Sequence, residues 1–177
     1  PRARLYRDGM DVLVPSVRRV PPESLSPRAK SHNYLNLIMA DMEAKKQDPE
    51  AWAILLDTRG FLSEGIGSNI FTIKDGVIYT PQEQYVLGGI SRETAIEMAE
   101  RIDVPVVAKD LDLFDAITAD EIFLTSTSLC ICGVRSFQGR QIGDGTAAGP
   151  ITKALMDEYV DFVEFDWLGQ YLKRLED

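Results

Sequence analysis

Apolar positions along the chain change period several times, which predicts strands alternating with helices. Asp11 to Val17 reads as a strand, and Pro15 points to a place near a sheet edge. Pro21-Pro22 and Pro27 predict a loop that delivers the chain to Lys30. From residue 33 to about 46, Tyr34, Leu37, Ile38 and Met42 recur at helical spacing, flanked by Leu35 and Met39. Ala51 to Asp57 is a continuous apolar run, the pattern of a strand buried on both faces, and Thr58-Arg59-Gly60 turns the chain. Asn69 to Lys74 and Val77 to Thr80 flank Asp75-Gly76, the signal of a type I′ hairpin, and Pro81 ends it. A helix is expected from Arg92 to about Ile102, with Ser91 as its N-cap. Then follow a strand at Val104 to Lys109, a short helix near Leu113 to Ala119, and strands at Glu121 to Thr125 and Cys130 to Arg135. Gln138-Gly139 is a turn and Gly143 to Gly149 a loop. Pro150 opens a helix reaching roughly Phe162, and a short helix or docked tail follows Asp166. There is no internal repeat and no low-complexity segment.

The length, 177 residues, suits one domain with a full core, and 45% hydrophobic with 27% charged residues is the balance of a globular protein. No apolar run approaches the ~20 residues of a membrane-spanning helix. Residues 1–10 are polar and basic and read as a linker leaving another domain. The opening Pro1-Arg2-Ala3-Arg4 has neither an initiator methionine nor a signal-peptide core, so a processed chain or part of a longer one is expected. A net charge of −9 with scattered bases argues against nucleic acid as a partner, and an anionic ligand needs local donors to overcome that field. Cys130 and Cys132 fall on one strand face and read as buried thiols in a reduced cytoplasm. One histidine and no second cysteine pair leave no metal set.

Candidate chemistry gathers around Lys30. It is one of 19 lysines and arginines, but it stands just before an amphipathic helix with the hydroxyl of Tyr34 four residues on. Glu64, in Ser63-Glu64-Gly65-Ile66-Gly67, is either a solvated turn residue or a carboxylate that glycines let approach a ligand. Those glycines are not a dinucleotide fingerprint: position 70 is Ile70 and a hairpin follows instead of a helix. Gly88-Gly89-Ile90-Ser91 before a helix is either a plain capped start or an anion site made of bare amides. Thr125-Ser126-Thr127-Ser128 is either a polar strand end or a cluster of hydroxyl donors. Tyr34 is either an aromatic packed on a helix or a hydroxyl aimed at a ligand. His32, the lone histidine, supports no Ser-His-Asp triad. An amine, a carboxylate, a phosphate nest and small donors together are what pyridoxal phosphate requires, with Lys30 forming its Schiff base.

The ordered set Lys30, Asn33-Tyr34-Leu35, Leu62 to Phe71, Thr80-Pro81, Gly88 to Arg92, Ala119 to Phe123 and Gly149 to Thr152 resembles the fold-type IV pyridoxal-phosphate aminotransferases. That class holds the branched-chain and D-amino-acid aminotransferases, the (R)-selective amine transaminases and aminodeoxychorismate lyase. The similarity runs from about residue 11 to 160. It implies an α/β fold, a twisted barrel-like mixed sheet flanked by helices. Residues 11–177 would be the large cofactor-binding domain, and the small N-terminal domain, with its phosphate arginine and one wall of the substrate pocket, is not in this chain. It implies Lys30 as Schiff-base lysine and proton shuttle, Tyr34 at the ring oxygen and Glu64 at the pyridine nitrogen. Ile90, Ser91 and Thr127 would hold the phosphate, with Ser68, Asn69 and Gly89 also at the cofactor. Ser128 and Leu129 fall where the substrate carboxylate binds. After Thr127 the run Ser128-Leu129-Cys130-Ile131-Cys132 departs from the Ala-Ala-Glu-like pattern of many branched-chain enzymes, which bears on substrate and stereochemistry.

The resemblance thus implies a cytoplasmic aminotransferase moving an amino group from an amino acid or amine to a 2-oxo acid, working as a homodimer together with the N-terminal domain. A lyase of the same fold, and a domain that acts only with a partner, are the alternatives. Turnover that depends on a keto acid separates transaminase from lyase. Cofactor absorbance separates both from a non-enzyme.

Overall fold

The computed structural model describes residues 3–174. In chain order the elements are α1 (Ala3–Asp8), β1 (Met10–Leu13), α2 (Leu35–Gln47), β2 (Trp52–Leu56), β3 (Leu62–Gly65), β4 (Asn69–Lys74), β5 (Val77–Thr80), α3 (Ile90–Arg101), β6 (Val106–Ala108), α4 (Leu113–Ile117), β7 (Glu121–Ser126), β8 (Cys130–Phe137), β9 (Arg140–Gln141), α5 (Pro150–Val163) and α6 (Trp167–Lys173). Among the described residues no helix is long and apolar enough to cross a membrane.

Six strands close on themselves in the order β3-β2-β1-β8-β7-β4, with β4 returning to β3. The ring is the expected twisted, barrel-like mixed sheet. Both neighbours of β1 are parallel to it, and the remaining ring pairs are antiparallel. β5 and β6 extend the sheet from β4, and β9 pairs with β8. Closure between β3 and β4 rests on a single residue pair, Glu64 opposite Asn69. The hairpin between β4 and β5 turns through Asp75 (φ 49°) and Gly76 (φ 79°), both left-handed as a type I′ turn demands. Phe71 and Phe123, paired across β4 and β7, stack with ring centroids 4.6 Å apart at the heart of the main core.

Several elements differ from expectation. β1 is an interior strand, because Pro15 falls beyond its end and removes no ladder bond. Within the stretch read as a linker, Ala3–Asp8 is helical, and Tyr6 stacks on Tyr171 and meets Trp167 edge-on in α6. α2 turns a different face inward: Leu37, Ala40 and Ala44 pack on Ala53 and Leu55 of β2, while Leu35, Ile38, Met39 and Met42 are exposed. Small alanines let the helix lie close to the strand, so the larger apolar stripe faces outward. α3 starts two residues early, at Ile90, with Gly89 and not Ser91 as its cap; Ser91 is buried in the first turn. Cys132 is a buried thiol, pushed up to about 12 by its surroundings, whereas Cys130 is only half-buried.

α5 packs on α3 and on β8, and so backs α3. Its N-terminus has no capping side chain of its own. Glu121 of β7 supplies the cap, accepting from the amides of Ile151 (2.9 Å) and Thr152 (2.8 Å). Two bonds to a buried carboxylate predict that Glu121→Ala lowers stability by about 1–3 kcal/mol. Urea unfolding measures this, and a loss below about 0.5 kcal/mol, as at an ordinary surface position, contradicts it.

Candidate active site

The central feature of the site is a buried carboxylate. Glu64 lies on strand β3 rather than in a solvated turn, and is 5% exposed. Its Oε1 accepts from Arg19 Nε at 2.8 Å and its Oε2 from the Leu87 amide at 2.9 Å. Burial pushes its pKa above the ordinary carboxylate value. The Leu87 amide, the Arg19 guanidinium and the charge of Lys30 pull in the opposite direction.

Asn69, the closure partner of Glu64, donates from Nδ2 to the carbonyl of Leu87 at 2.9 Å. Ser63 donates to the carbonyl of Tyr85 at 2.8 Å. Three side chains from β3 and β4 therefore pin the segment that leads into α3. Gly89 passes so close to Asn69 that an added Cβ would lie 2.4 Å from its Oδ1, which accounts for glycine there. No side chain caps α3, so the amides of its first turn are left without a capping acceptor where Gly89, Ile90 and Ser91 line the cleft.

An open cleft joins these groups. Lys30, Tyr34, Glu64, Ser68, Asn69, Gly89, Ile90, Ser91 and Thr127 all line it, as does His32. Lys30 is exposed in the loop before α2, and its amine has no hydrogen bond or ion pair among the described residues. Tyr34 stands at the cap position of α2, half-buried, with the His32 ring 6.0 Å away. Ser68 Oγ and Thr125 Oγ1, both of residues in the cleft wall, are buried without a hydrogen-bond partner. Such orphans cost stability unless something else meets them.

Ser128 and Leu129 are not in the wall. Ser128 is exposed on the β7–β8 turn, 3.2 Å from the Ser126 hydroxyl. Leu129 is fully buried in the main core, and its amide donates to the carbonyl and hydroxyl of Ser126.

Sequence reasoning missed Arg19. It follows Arg18 in what reads as loop, yet it is 8% exposed, and its amide continues the pairing with β2 by donating to Leu56 at 2.8 Å. The valines on either side, Val17 and Val20, were the only hint of that pairing.

A six-stranded closed sheet, an unpaired lysine, a buried carboxylate and a bare helix start thus meet around one cleft. The chain belongs to the amino-transferase class IV family, whose profile matches residues 1–137. It is 35% identical over 176 residues to the branched-chain-amino-acid aminotransferase of Escherichia coli K12, covering 95% of this chain and 56% of that protein. A crystal structure of the Escherichia coli branched-chain amino acid aminotransferase superimposes with TM-score 0.85 at 34% identity, over 91% of this chain and 54% of that one. The T.th. branched-chain amino acid aminotransferase, solved with pyridoxamine 5′-phosphate, gives TM-score 0.84 at 34% identity, over 89% and 52%. The chain spans about half the length of the curated relatives it matches.

The raised pKa of Glu64 has a stability consequence with a definite sign. A carboxyl whose folded pKa lies above its unfolded value, about 4.3, favours the folded state fully below that value, and loses this contribution as pH rises through the folded pKa. Glu64→Gln lacks the term. The stability of the wild type relative to Glu64→Gln is therefore expected to fall as pH rises from about 4 to neutrality. Urea midpoints across that range test it; a relative gain for the wild type would contradict the burial argument.

Proposed function

We propose that this chain is the cofactor-binding part of a pyridoxal 5′-phosphate-dependent aminotransferase of branched-chain type. The reaction moves an amino group from an amino acid or amine to a 2-oxo acid. The observation that carries this reading is that the Lys30 amine, the Glu64 carboxylate and the start of α3 line one cleft. Family membership and the branched-chain relatives support it.

The residues fit the cofactor. The buried hydroxyls of Ser68 and Thr125 lack partners, the amides at the start of α3 are uncapped, and the Lys30 amine is unpaired. When bound, pyridoxal phosphate supplies an electron sink for charge developing at the substrate α-carbon. Lys30 would hold the cofactor's aldehyde carbon and would take and return the α-proton. Glu64 would accept from the pyridine nitrogen; its two oxygens have about four lone-pair sites, and Arg19 and Leu87 occupy two. Tyr34 would donate to the ring oxygen. The amides of Ile90 and Ser91 with the hydroxyls of Ser91 and Thr127 would hold the phosphate, beside Ser68, Asn69 and Gly89. Local donors of this kind are what an anion needs in a chain of net charge −9. The resemblance would put the substrate carboxylate near Ser128 and Leu129; neither lines the cleft, and of the two only Ser128, exposed on the turn beside Thr127, could reach it.

In the working enzyme, an N-terminal domain of the same protein and a second subunit cover the open side of the cleft. The outward stripe of Leu35, Ile38, Met39 and Met42 on α2, the helix that starts at Tyr34, supports a partner there.

Borohydride reduction of the protein loaded with pyridoxal phosphate is expected to fix the label on Lys30. Lys30→Ala is expected to lose keto-acid-dependent turnover by more than about a hundredfold. A label mapped to Lys45, Lys46 or Lys109 would overturn the assignment, and turnover without a keto acid would favour the lyase.

A further inference from the structure

The loop from residue 14 to residue 34 carries both Arg19 and Lys30 and contains no regular element. Arg19 nevertheless presents its guanidinium to Glu64 from a buried position. Its own amide is held by Leu56. The peptide groups on either side of it are held by one side chain of α2. Asn36 Nδ2 donates to the carbonyl of Arg18 at 2.6 Å, and Asn36 Oδ1 accepts from the amide of Val20 at 3.2 Å. A carboxamide has both a donor and an acceptor, so it grips an extended residue much as a neighbouring strand would. Seven residues on, and so on the same side of the helix, Glu43 accepts from the amide of Ser16 at 2.7 Å and its hydroxyl at 2.9 Å. α2 thus pins residues 16–20 at two points, and it does so starting two residues after Tyr34 and six after Lys30.

We propose that Asn36 is a positioning residue: its side-chain amide clasps the peptide groups on both sides of Arg19 and thereby holds the guanidinium against Glu64. Its importance for turnover rests on the aminotransferase reading, but the clasp itself belongs to the unloaded protein. The charged groups facing Glu64 are Arg19 and Lys30; its two hydrogen-bond donors are Arg19 and the Leu87 amide. Releasing Arg18 and Val20 frees the Arg19 backbone to shift. Glu64 then keeps its burial and loses the charge-assisted bond that favours its ionised form.

The test is the titration of the Glu64 carboxyl in unloaded protein, followed by carbon-13 NMR and assigned by its absence in Glu64→Gln. Asn36→Ala should raise the midpoint by about half a pH unit or more, and Arg19→Gln should raise it further. The double variant should go no further than Arg19→Gln alone, because Asn36 acts through Arg19. Alanine is a better helix former than asparagine, which favours a folded variant, and Asn36→Leu repeats the measurement with the volume of the site kept. A midpoint that stays put in folded Asn36→Ala and Asn36→Leu, even with lowered thermal stability, would reduce Asn36 to a structural residue and overturn the proposal. A shift that adds to that of Arg19→Gln would overturn it as well. With the midpoint moved as expected, the clasp stands whether or not the protein takes up pyridoxal phosphate, whose absorbance on binding separately tests the functional reading.

Discussion

The site depends on how the barrel closes. β3 and β4 meet at one residue pair, and both members of that pair, Glu64 and Asn69, are buried and polar. A buried carboxylate or carboxamide without partners would cost several kcal/mol. Both find partners on a single residue outside the barrel, Leu87: Glu64 takes its amide and Asn69 its carbonyl. Meeting the needs of the closure pair therefore draws residues 85–89 into place, and with them the start of α3. The carboxylate and the start of α3 share a cleft because the same two side chains hold both.

Electrostatics follows from that packing. The chain as a whole repels anions, with a net charge of −9. Within the cleft, the Lys30 amine, the uncapped amides of α3 and the Ser68 and Thr125 hydroxyls are unpartnered among the described residues, while the Arg19 guanidinium pairs with Glu64. Burial and hydrogen bonding oppose one another at Glu64, and burial is the larger effect. Its ionisation is consequently sensitive to small displacements of Arg19, which is why the grip of α2 on residues 16–20 bears on the chemistry.

What was legible in the sequence is what local chemistry decides. Asp75-Gly76 must turn with two left-handed residues, and Pro150 suits a first helical position, so both were readable without any partner. The cleft residues were readable as an ordered set, from Lys30 to Thr127, because the resemblance carries their order. Features set by distant partners were not. The inward face of α2 is built on Ala40 and Ala44, which signal less strongly than Ile38 and Met42, and the choice was made by β2. The cap of α3 is Gly89, where Asn69, twenty residues earlier in the chain, leaves no room for a side chain. Glu64 has the neighbours of a turn residue, yet barrel closure makes it a strand residue. Arg19 carries no local mark at all: its burial comes from Leu56, Asn36 and Glu64.

Barrel closure positions the start of α3, at one end of the cleft, through Leu87. The most direct measurement compares pyridoxal phosphate with unphosphorylated pyridoxal, titrated by fluorescence into wild type and Asn69→Ala. Freeing the Leu87 carbonyl loosens the start of α3, so affinity for the phosphorylated form should fall about tenfold, the equivalent of one hydrogen bond. Affinity for pyridoxal should barely change. Equal losses for both compounds, or none for either, would contradict the account.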